Sequence, residues 1–592
     1  MDNKLTALRE WMLKNGFFGL LVPMTDEYQG EYIAPSARRL EWLTGFSGSA
    51  GEAVVLLDRA FLFVDGRYTL QAQKETNADQ ITVIQTPNAR AGDWLLAALP
   101  NGARIGYDSW LHTPDEIKKM AAACAKNGAK IVPLPYNPID LLWTDKPKEE
   151  TQWAVFLPEN YTGLDSTSKI ADVTASLGVE QDDALILTSP ESICWLLNVR
   201  GRDIPYIPIV QSFSVLYKNG TVDWFVNPEK VKDHLRNRLS SLVEIKDPEL
   251  MAVTLDALGI QKARVQLDMA LSPAWIYERL SAAGAVIHSK EDPCLIRKAC
   301  KNTTERNGAV NAHIKDGIAM CRFLAWFDKE APKGKLKEMD AVRKIAEIRS
   351  ENPLYRGESF ATIAASGKNA AYIHYHTSEK NNAPIKKNAM FLIDTGAQYL
   401  DGTTDITRTV SVGEVSLLEK KRYTQVLKGH IAIATIAFPE GTTGSQLDIL
   451  ARQFLWRDGV DYAHGTGHGI SSYLSVHEGP QRIARGNSRI PLMPGMLISN
   501  EPGYYKADAF GIRLENVVMV EPLPPTEGSE IKILGLSTLS LAPFDRRLID
   551  KTQLTPREKA WVDGYHSRIR RIISPFVDKQ TADWLTEACA PL

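Results

Sequence analysis

Residues 391–410 read Phe391-Leu392-Ile393-Asp394-Thr395-Gly396-Ala397-Gln398-Tyr399-Leu400-Asp401-Gly402-Thr403-Thr404-Asp405-Ile406-Thr407-Arg408-Thr409-Val410. Apolar and β-branched residues flank an Asp-Gly pair, which is the pattern of a β-hairpin. A turn near Asp401-Gly402 brings Asp394 and Asp405 onto neighbouring strands. Asp394 follows three apolar residues and so belongs in a buried strand. Aspartate is poor in strands and costly to bury alone, so this carboxylate calls for a cation.

The same pattern returns at Met496-Leu497-Ile498-Ser499-Asn500-Glu501-Pro502-Gly503, followed by Gly511-Ile512-Arg513-Leu514-Glu515-Asn516-Val517-Val518. A loop over residues 506–510, centred near 508, sets Glu501 opposite Glu515. Between the two hairpins lies His464-Gly465-Thr466-Gly467-His468-Gly469-Ile470, whose glycines let backbone pass close to a ligand. Asp394, Asp405, His468, Glu501 and Glu515 are therefore the candidate metal ligands. Four carboxylates and one imidazole balance two divalent cations. Oxygen-rich ligation with one nitrogen suits Mn²⁺, Co²⁺ or Zn²⁺, and carboxylates can bridge cations about 3.5–4 Å apart. Six of the 11 histidines fall between residues 374 and 477, where a uniform spread would put about two. His430 reads as structural, on a helical stretch. His376, two residues after His374 on an expected strand, would share its face.

Around this core the chain is ordinary. It has 592 residues, enough for three to five domains at roughly 100–200 residues each. It is 44% hydrophobic and 24% charged, which excludes a mainly disordered or fibrous protein. The 69 basic and 71 acidic residues leave a net charge of −2 and give no support for nucleic-acid binding. The six cysteines form no Cys-x-x-Cys pair, against a disulfide framework or a zinc cluster. No apolar run reaches the roughly 18–20 residues of a membrane span. The first residues read as an amphipathic helix, and 17–24 as a buried strand rather than a secretion signal. The expectation is a soluble protein of a reducing compartment.

Upstream, two stretches repeat one plan: helix, buried strand, Ser/Thr turn, a helix ending Trp-Leu, a glycine, then apolar runs. The runs are 53–57 and 60–64 in the first copy, and 207–215 and 222–226 in the second. This predicts two α/β domains of similar build. Pro-rich residues 132–147 read as the linker between them, and Asp292-Pro293 as a second boundary before a helix over 298–330. The expected domains are 1–150, 151–297, 298–536 and a C-terminal extension, 537–592, that packs on the catalytic domain or helps a dimer form.

The order Asp, Asp, His, Glu, Glu resembles the pita-bread metallopeptidases. Leu43-Thr44-Gly45-Phe46-Ser47-Gly48-Ser49-Ala50-Gly51, Val64-Asp65-Gly66-Arg67-Tyr68, Leu142-Trp143-Thr144-Asp145, Val476-His477-Glu478-Gly479-Pro480, Leu548-Ile549-Asp550 and Trp561-Val562-Asp563-Gly564-Tyr565-His566 resemble the long cytosolic aminopeptidase P group within that family. The resemblance implies a fold of α/β and α+β parts. Two creatinase-like N-terminal α/β domains would be followed by a pita-bread catalytic domain, with two helix–strand units around a curved sheet. It implies an aminopeptidase that releases the first residue from peptides with proline second, through a hydroxide bridging two cations, most simply Mn²⁺. Asp394 would hold one cation, Asp405 and Glu515 would bridge both, and His468 and Glu501 would complete the second, with Glu501 also shuttling the proton. His374, His464 and His477 would face the substrate: His477 at the oxyanion, His464 and His374 along the peptide backbone and the proline side. Tyr505 and Arg513 would support the substrate site, while Arg67 could simply brace the first domain. The resemblance further implies a cytoplasmic homodimer with peptide substrates and neither nucleic-acid nor membrane partners. The alternatives are a prolidase limited to Xaa-Pro dipeptides and a catalytically silent pita-bread binding protein.

Overall fold

A computed structural model describes residues 2–149, 151–239, 241–486 and 488–592. The expected boundary residues Met1 and Glu150 lie outside the described residues. The chain divides into two compact units, Met1–Glu159 with Leu164–Cys294, and Asn160–Gly163 with Leu295–Leu592. Among the described residues no helix is long and apolar enough to cross a membrane.

The first unit contains two six-stranded sheets with one topology. In the first sheet the order is Thr82–Gln85, Ala60–Val64, Gly51–Leu56, Gly19–Pro23, Arg104–Tyr107, Lys130–Pro133. In the second it is Val243–Lys246, Val222–Phe225, Phe213–Tyr217, Ala184–Leu187, Arg264–Leu267, Val286–Ser289. In each, the first strand in sequence pairs antiparallel with the next in its sheet and parallel with the fifth. Both founding strands, Gly19–Pro23 and Ala184–Leu187, are buried throughout, as an apolar central strand should be. The helix Asp2–Asn15 lays Leu5, Leu8 and Met12 into the first core.

Two expectations change here. Residues 132–147 are irregular chain only in part: Pro133 ends a strand, Pro138 starts the helix Pro138–Leu142 behind its Asn137 cap, and residues 143–149 are in neither helix nor strand. Ile139 and Trp143 are buried in the first core. Proline suits the first position of a helix, so here it punctuates structure rather than ending it. The second-copy run 207–215 is also shorter. Its strand is Phe213–Tyr217, because Pro208 and the left-handed Tyr206 hold the preceding residues in irregular chain.

After the short helix Cys294–Ala299, the second unit continues with the long helix Thr303–Glu330, started by an Asn302/Glu305 capping box. Asn302 also donates to Thr162 O (2.8 Å), which ties 160–163 to this unit. The helix Glu338–Ser350 follows, then a three-stranded sheet in the order Ile363–Ser366, Ala389–Thr395, Ile406–Val412. The helices Leu417–Ala434 and Gly444–Trp456 lead into a six-stranded sheet. That sheet holds Asn516–Pro522, Leu497–Asn500, Gly467–Gly469 and Glu478–Ile483 side by side. Among the described residues the expected curved sheet is divided among these two sheets, a second three-stranded one and a two-stranded one, and the first two meet where Glu515 N donates to Thr407 O (3.1 Å). In the C-terminal stretch, Leu541, Phe544, Val562, Tyr565 and Ile569 share a core with Tyr423, Val426 and Leu427 of the helix Leu417–Ala434.

Candidate metal centre

Asp394 lies near the end of Ala389–Thr395, and Asp405 immediately precedes Ile406–Val412. These strands pair antiparallel with Asp394 across from Thr407. The chain between them makes a tip of its own, Ala397–Tyr399 against Gly402–Thr403, in a separate small sheet. Its turn is Leu400-Asp401, one residue earlier than expected, and Gly402 already lies in the return strand.

The second hairpin is broken in two. Leu497–Asn500 pairs with Asn516–Pro522, and Gly503–Lys506 with Phe510–Arg513. Glu501 and Glu515 occupy the break, facing each other between the Asn500–Asn516 and Gly503–Arg513 pairs. Pro502 has no N–H to give, which favours a break there. The third segment, Gly467–Gly469, approaches so closely that a Cβ on Gly467 would lie 1.8 Å from Ser499 O. Only glycine permits that contact, which delivers His468 to the carboxylates.

His468 Nδ1 donates to Gly469 O (3.0 Å), so Nε2 faces Asp405 Oδ2 (3.5 Å) and Glu501 Oε1 (3.4 Å). A carbonyl on one ring nitrogen fixes the tautomer that presents the other to a cation. Ligand atoms of Asp405, His468 and Glu515 lie within 4.8 Å of one another. Asp394 Oδ1 and Asp405 Oδ1 are buried with no hydrogen-bond partner. Burial raises Asp405 and Glu515 well above the usual carboxylate range, and the neighbouring acids, Glu501 and Asp394 among them, push both further. Buried acceptor oxygens with no donor, in a cluster of acids around one imidazole, fit divalent cations.

A directed chain of hydrogen bonds flanks this cluster. Arg513 Nη2 donates to Asp394 Oδ2, and Nη1 donates to Tyr505 Oη (2.7 Å). Tyr505 Oη in turn meets His464 Nε2 (2.8 Å), whose Nδ1 faces Gly465 O (2.7 Å). His464 Nδ1 lies 3.8 Å from Glu501 Oε2. The half-buried His477 ring stands 4.3 Å from that of His468, at 72°. The half-buried His374 is in a turn, whose Ile373 O accepts from Arg513 Nη1 (3.3 Å). His376 is exposed and off any strand, which corrects the expected shared face. The Tyr375 hydroxyl bonds Glu338 Oε2 (3.0 Å) and Asn381 O (2.8 Å), and these partners hold the segment irregular. Arg67 bonds Asp65 in the first unit.

Several supporting groups escape the sequence reading. Thr407 Oγ1 donates to Glu515 Oε2 (2.7 Å) and accepts from Arg513 Nε (3.2 Å). Ser499 Oγ donates to Glu501 Oε1 (3.2 Å) and accepts from His468 N (3.0 Å). Glu478, next to His477, is gripped by the buried Lys298 (2.8 Å) and Lys301. His430 is buried behind the second hairpin, and burial with the charge of Arg408 lowers its pKa to about 3. A strand hydroxyl or a buried lysine carries no periodic signal; only adjacency to the acids marked Thr407 and Ser499.

Residues 296–522 match the model of metallopeptidase family M24. Residues 4–139 and 145–305 each match a creatinase/prolidase N-terminal domain, and 532–592 the C-terminal region of M24 peptidases. A probable Xaa-Pro aminopeptidase P of Paracoccidioides brasiliensis (strain Pb03) is 37% identical across 100% of this chain and 99% of its own length. The chain belongs to metallopeptidase family M24. The crystal structure of the X-prolyl aminopeptidase of Caenorhabditis elegans is that of a cytosolic enzyme with a di-nuclear active site. It superposes with a TM-score of 0.95 at 32% identity, covering 100% of this chain and 99% of that one. The Xaa-Pro dipeptidase of Bacillus anthracis shares the fold over 64% of this chain and 99% of its own (TM-score 0.51, 21% identity).

Proposed function

We propose that this M24 protein is a metal-dependent aminopeptidase that releases the first residue from peptides with proline second. The observation that carries this reading is the cluster of Asp405, His468 and Glu515, with Glu501 and Asp394 beside it and the donorless oxygens of Asp394 and Asp405 buried there. It is supported by similarity to X-prolyl aminopeptidases along the whole chain. These five residues would hold two divalent cations, Mn²⁺ by our reading, with Co²⁺ and Zn²⁺ as the alternatives. Bound there, the cations supply Lewis acidity that activates water and polarises a carbonyl.

Glu501 would take the proton of the attacking water and hand it to the leaving nitrogen. Ser499 Oγ and the nearby His468 orient its Oε1. His477 donates to the oxygen of the tetrahedral intermediate. His464, held by Tyr505, and His374 hold the peptide backbone and its proline side. An Xaa-Pro bond has no N–H on its nitrogen and a restricted residue before it. A site that instead grips the free amine and the carbonyl can therefore select it. Arg513 and Tyr505 support that grip by fixing Asp394 and His464. The working state is a cytoplasmic homodimer acting on peptides. Similarity along the whole chain to X-prolyl aminopeptidases favours an aminopeptidase over a prolidase.

The test is hydrolysis of Arg-Pro-Pro before and after metal removal and Mn²⁺ restoration, beside Glu501→Gln. Free arginine should appear, vanish with the metal, return with Mn²⁺, and fall at least about a thousandfold in the variant. A folded protein silent with every divalent cation would sink the reading in favour of a binding protein. Cleavage of Arg-Pro alone would make it a prolidase.

A further inference from the structure

His430 sits on the helix Leu417–Ala434, fully buried, and holds the second hairpin at three points. Its Nδ1 is 3.1 Å from Leu514 O, its Nε2 is 3.1 Å from Asn516 Nδ2, and its backbone carbonyl accepts from Asn500 Nδ2 (2.9 Å). Leu514 and Asn516 bracket Glu515, Asn500 precedes Glu501, and Asn500 and Asn516 are register partners.

The directions of these bonds follow from the donors available. Asn516 Oδ1 accepts from Arg408 Nη2 (2.8 Å) and from Tyr565 Oη (3.1 Å), so its amide nitrogen must face the imidazole. A carbonyl only accepts, so the ring carries its proton on Nδ1, gives it to Leu514 O, and takes the Asn516 N–H at Nε2. Arg408 also donates to Glu515 O (2.6 Å) and to Ala542 O (2.6 Å). The break in the strands at Glu501 and Glu515 therefore has a replacement scaffold. Where ladder bonds lapse, a helix side chain and a buried guanidinium hold the backbone.

We propose that His430 is a positioning residue: it clamps both sides of the strand break and so sets the separation of the Glu501 and Glu515 carboxylates. That it tunes cation binding rests on the function proposed above; that it holds the hairpin does not. His430→Phe keeps an aromatic in the core and removes both ring hydrogen bonds. His430→Asn keeps a donor for Leu514 O and loses the bond to Asn516. Tyr423→Phe is the control: it lies on the same helix, is equally buried, and loses one hydrogen bond, to Asp545 N (3.1 Å), away from the acids.

Hydrogen exchange on the metal-free proteins, calorimetric Mn²⁺ titration and Arg-Pro-Pro kinetics form the test. In His430→Phe, amides of 497–500 and 516–522 should exchange at least about tenfold faster, and Mn²⁺ should bind roughly 10–100-fold more weakly. Turnover, kcat, should fall with KM within about twofold, and His430→Asn should regain part of each loss. Unchanged exchange in folded His430→Phe overturns the clamp, as does Tyr423→Phe reproducing the losses. If His430→Phe does not fold, His430→Asn decides alone: exchange and Mn²⁺ affinity both at wild-type level overturn the proposal. Faster exchange in the variants of a protein that binds no Mn²⁺ and cleaves nothing keeps the clamp and rejects the function.

Discussion

The two carboxylate hairpins solve one problem differently. In residues 389–412 the acids are staggered: Asp394 faces Thr407, and Asp405 lies two residues short of it. In residues 497–522 the register sets Glu501 and Glu515 face to face. Each hairpin nevertheless contributes one more enclosed acid and one less enclosed. The Asp405 side chain is 5% exposed against 11% for Asp394, and Glu515 is buried against 16% for the Glu501 side chain. The enclosed pair, Asp405 and Glu515, shares the small cluster with His468. Asp394 leans on Arg513, and Glu501 on Ser499. Four similar residues at strand ends thus acquire two kinds of surroundings, set by which neighbouring segment crosses the break.

The comparison is broken most directly by deleting one acid of each kind. Asp405→Asn and Glu515→Gln should lose both cations on dialysis and lower activity by roughly a thousandfold or more. Asp394→Asn should keep one cation and a measurable residue of activity. Metal analysis beside kinetics checks this. Equal metal loss in all three variants would mean that enclosure does not separate the acids.

The second hairpin was largely legible because its turn is symmetric about residue 508: counting outward places Glu501 against Glu515, as the ladder does. Asp394 was legible because three apolar neighbours bury it. The metal-facing tautomer of His468 was not, since it depends on Gly469 O, a backbone atom. The turn at His374 was hidden for a similar reason: Tyr375 is held by Glu338, far back in the sequence. His430 reads as structural from its helical stretch, and what it holds was hidden because its partners, Leu514 and Asn516, are more than eighty residues away. Prolines 133 and 138 misled in the opposite sense, since a strand end and a helix start use the same residue as a linker does. Local pattern fixes where an acid lies along a strand, and only the tertiary crossing decides what surrounds it.

Metal removal sharpens the contrast through pH. Asp405 and Glu515 hold protons to higher pH in the folded chain than in the unfolded one. Their contribution to the stability of the metal-free protein should therefore be full below the ordinary carboxylate range, about pH 4, and be lost as pH rises through the raised values. A tenfold difference in proton affinity between the folded and unfolded chain corresponds to about 1.4 kcal/mol. Glu515→Gln removes one of the two groups, so its melting temperature should fall less steeply between about pH 5 and 8. Saturating Mn²⁺ should reverse the slope, because cations bind the deprotonated acids. A metal-free protein that gains stability over the same range would show that the enclosed acids are ionised without a cation.

The smallest expected effect comes from Tyr505→Phe, midway along the chain that runs from Asp394 through Arg513 to His464. The phenol accepts from Arg513 and gives its proton to His464 Nε2, so the variant removes one link and leaves the ring. Arg513 still reaches Asp394, Thr407 and Ile373 O, so Asp394 should stay in place and the cation count stay at two. His464 loses the hydroxyl that fixes its Nε2, and one hydrogen bond of about 1 kcal/mol corresponds to roughly fivefold. Because His464 is assigned to the peptide backbone, that loss should fall mainly on KM for Arg-Pro-Pro. A fall in Mn²⁺ affinity comparable to that of His430→Phe would instead place Tyr505 behind the carboxylates. The staggered hairpin would then depend on this chain as the opposed one depends on His430.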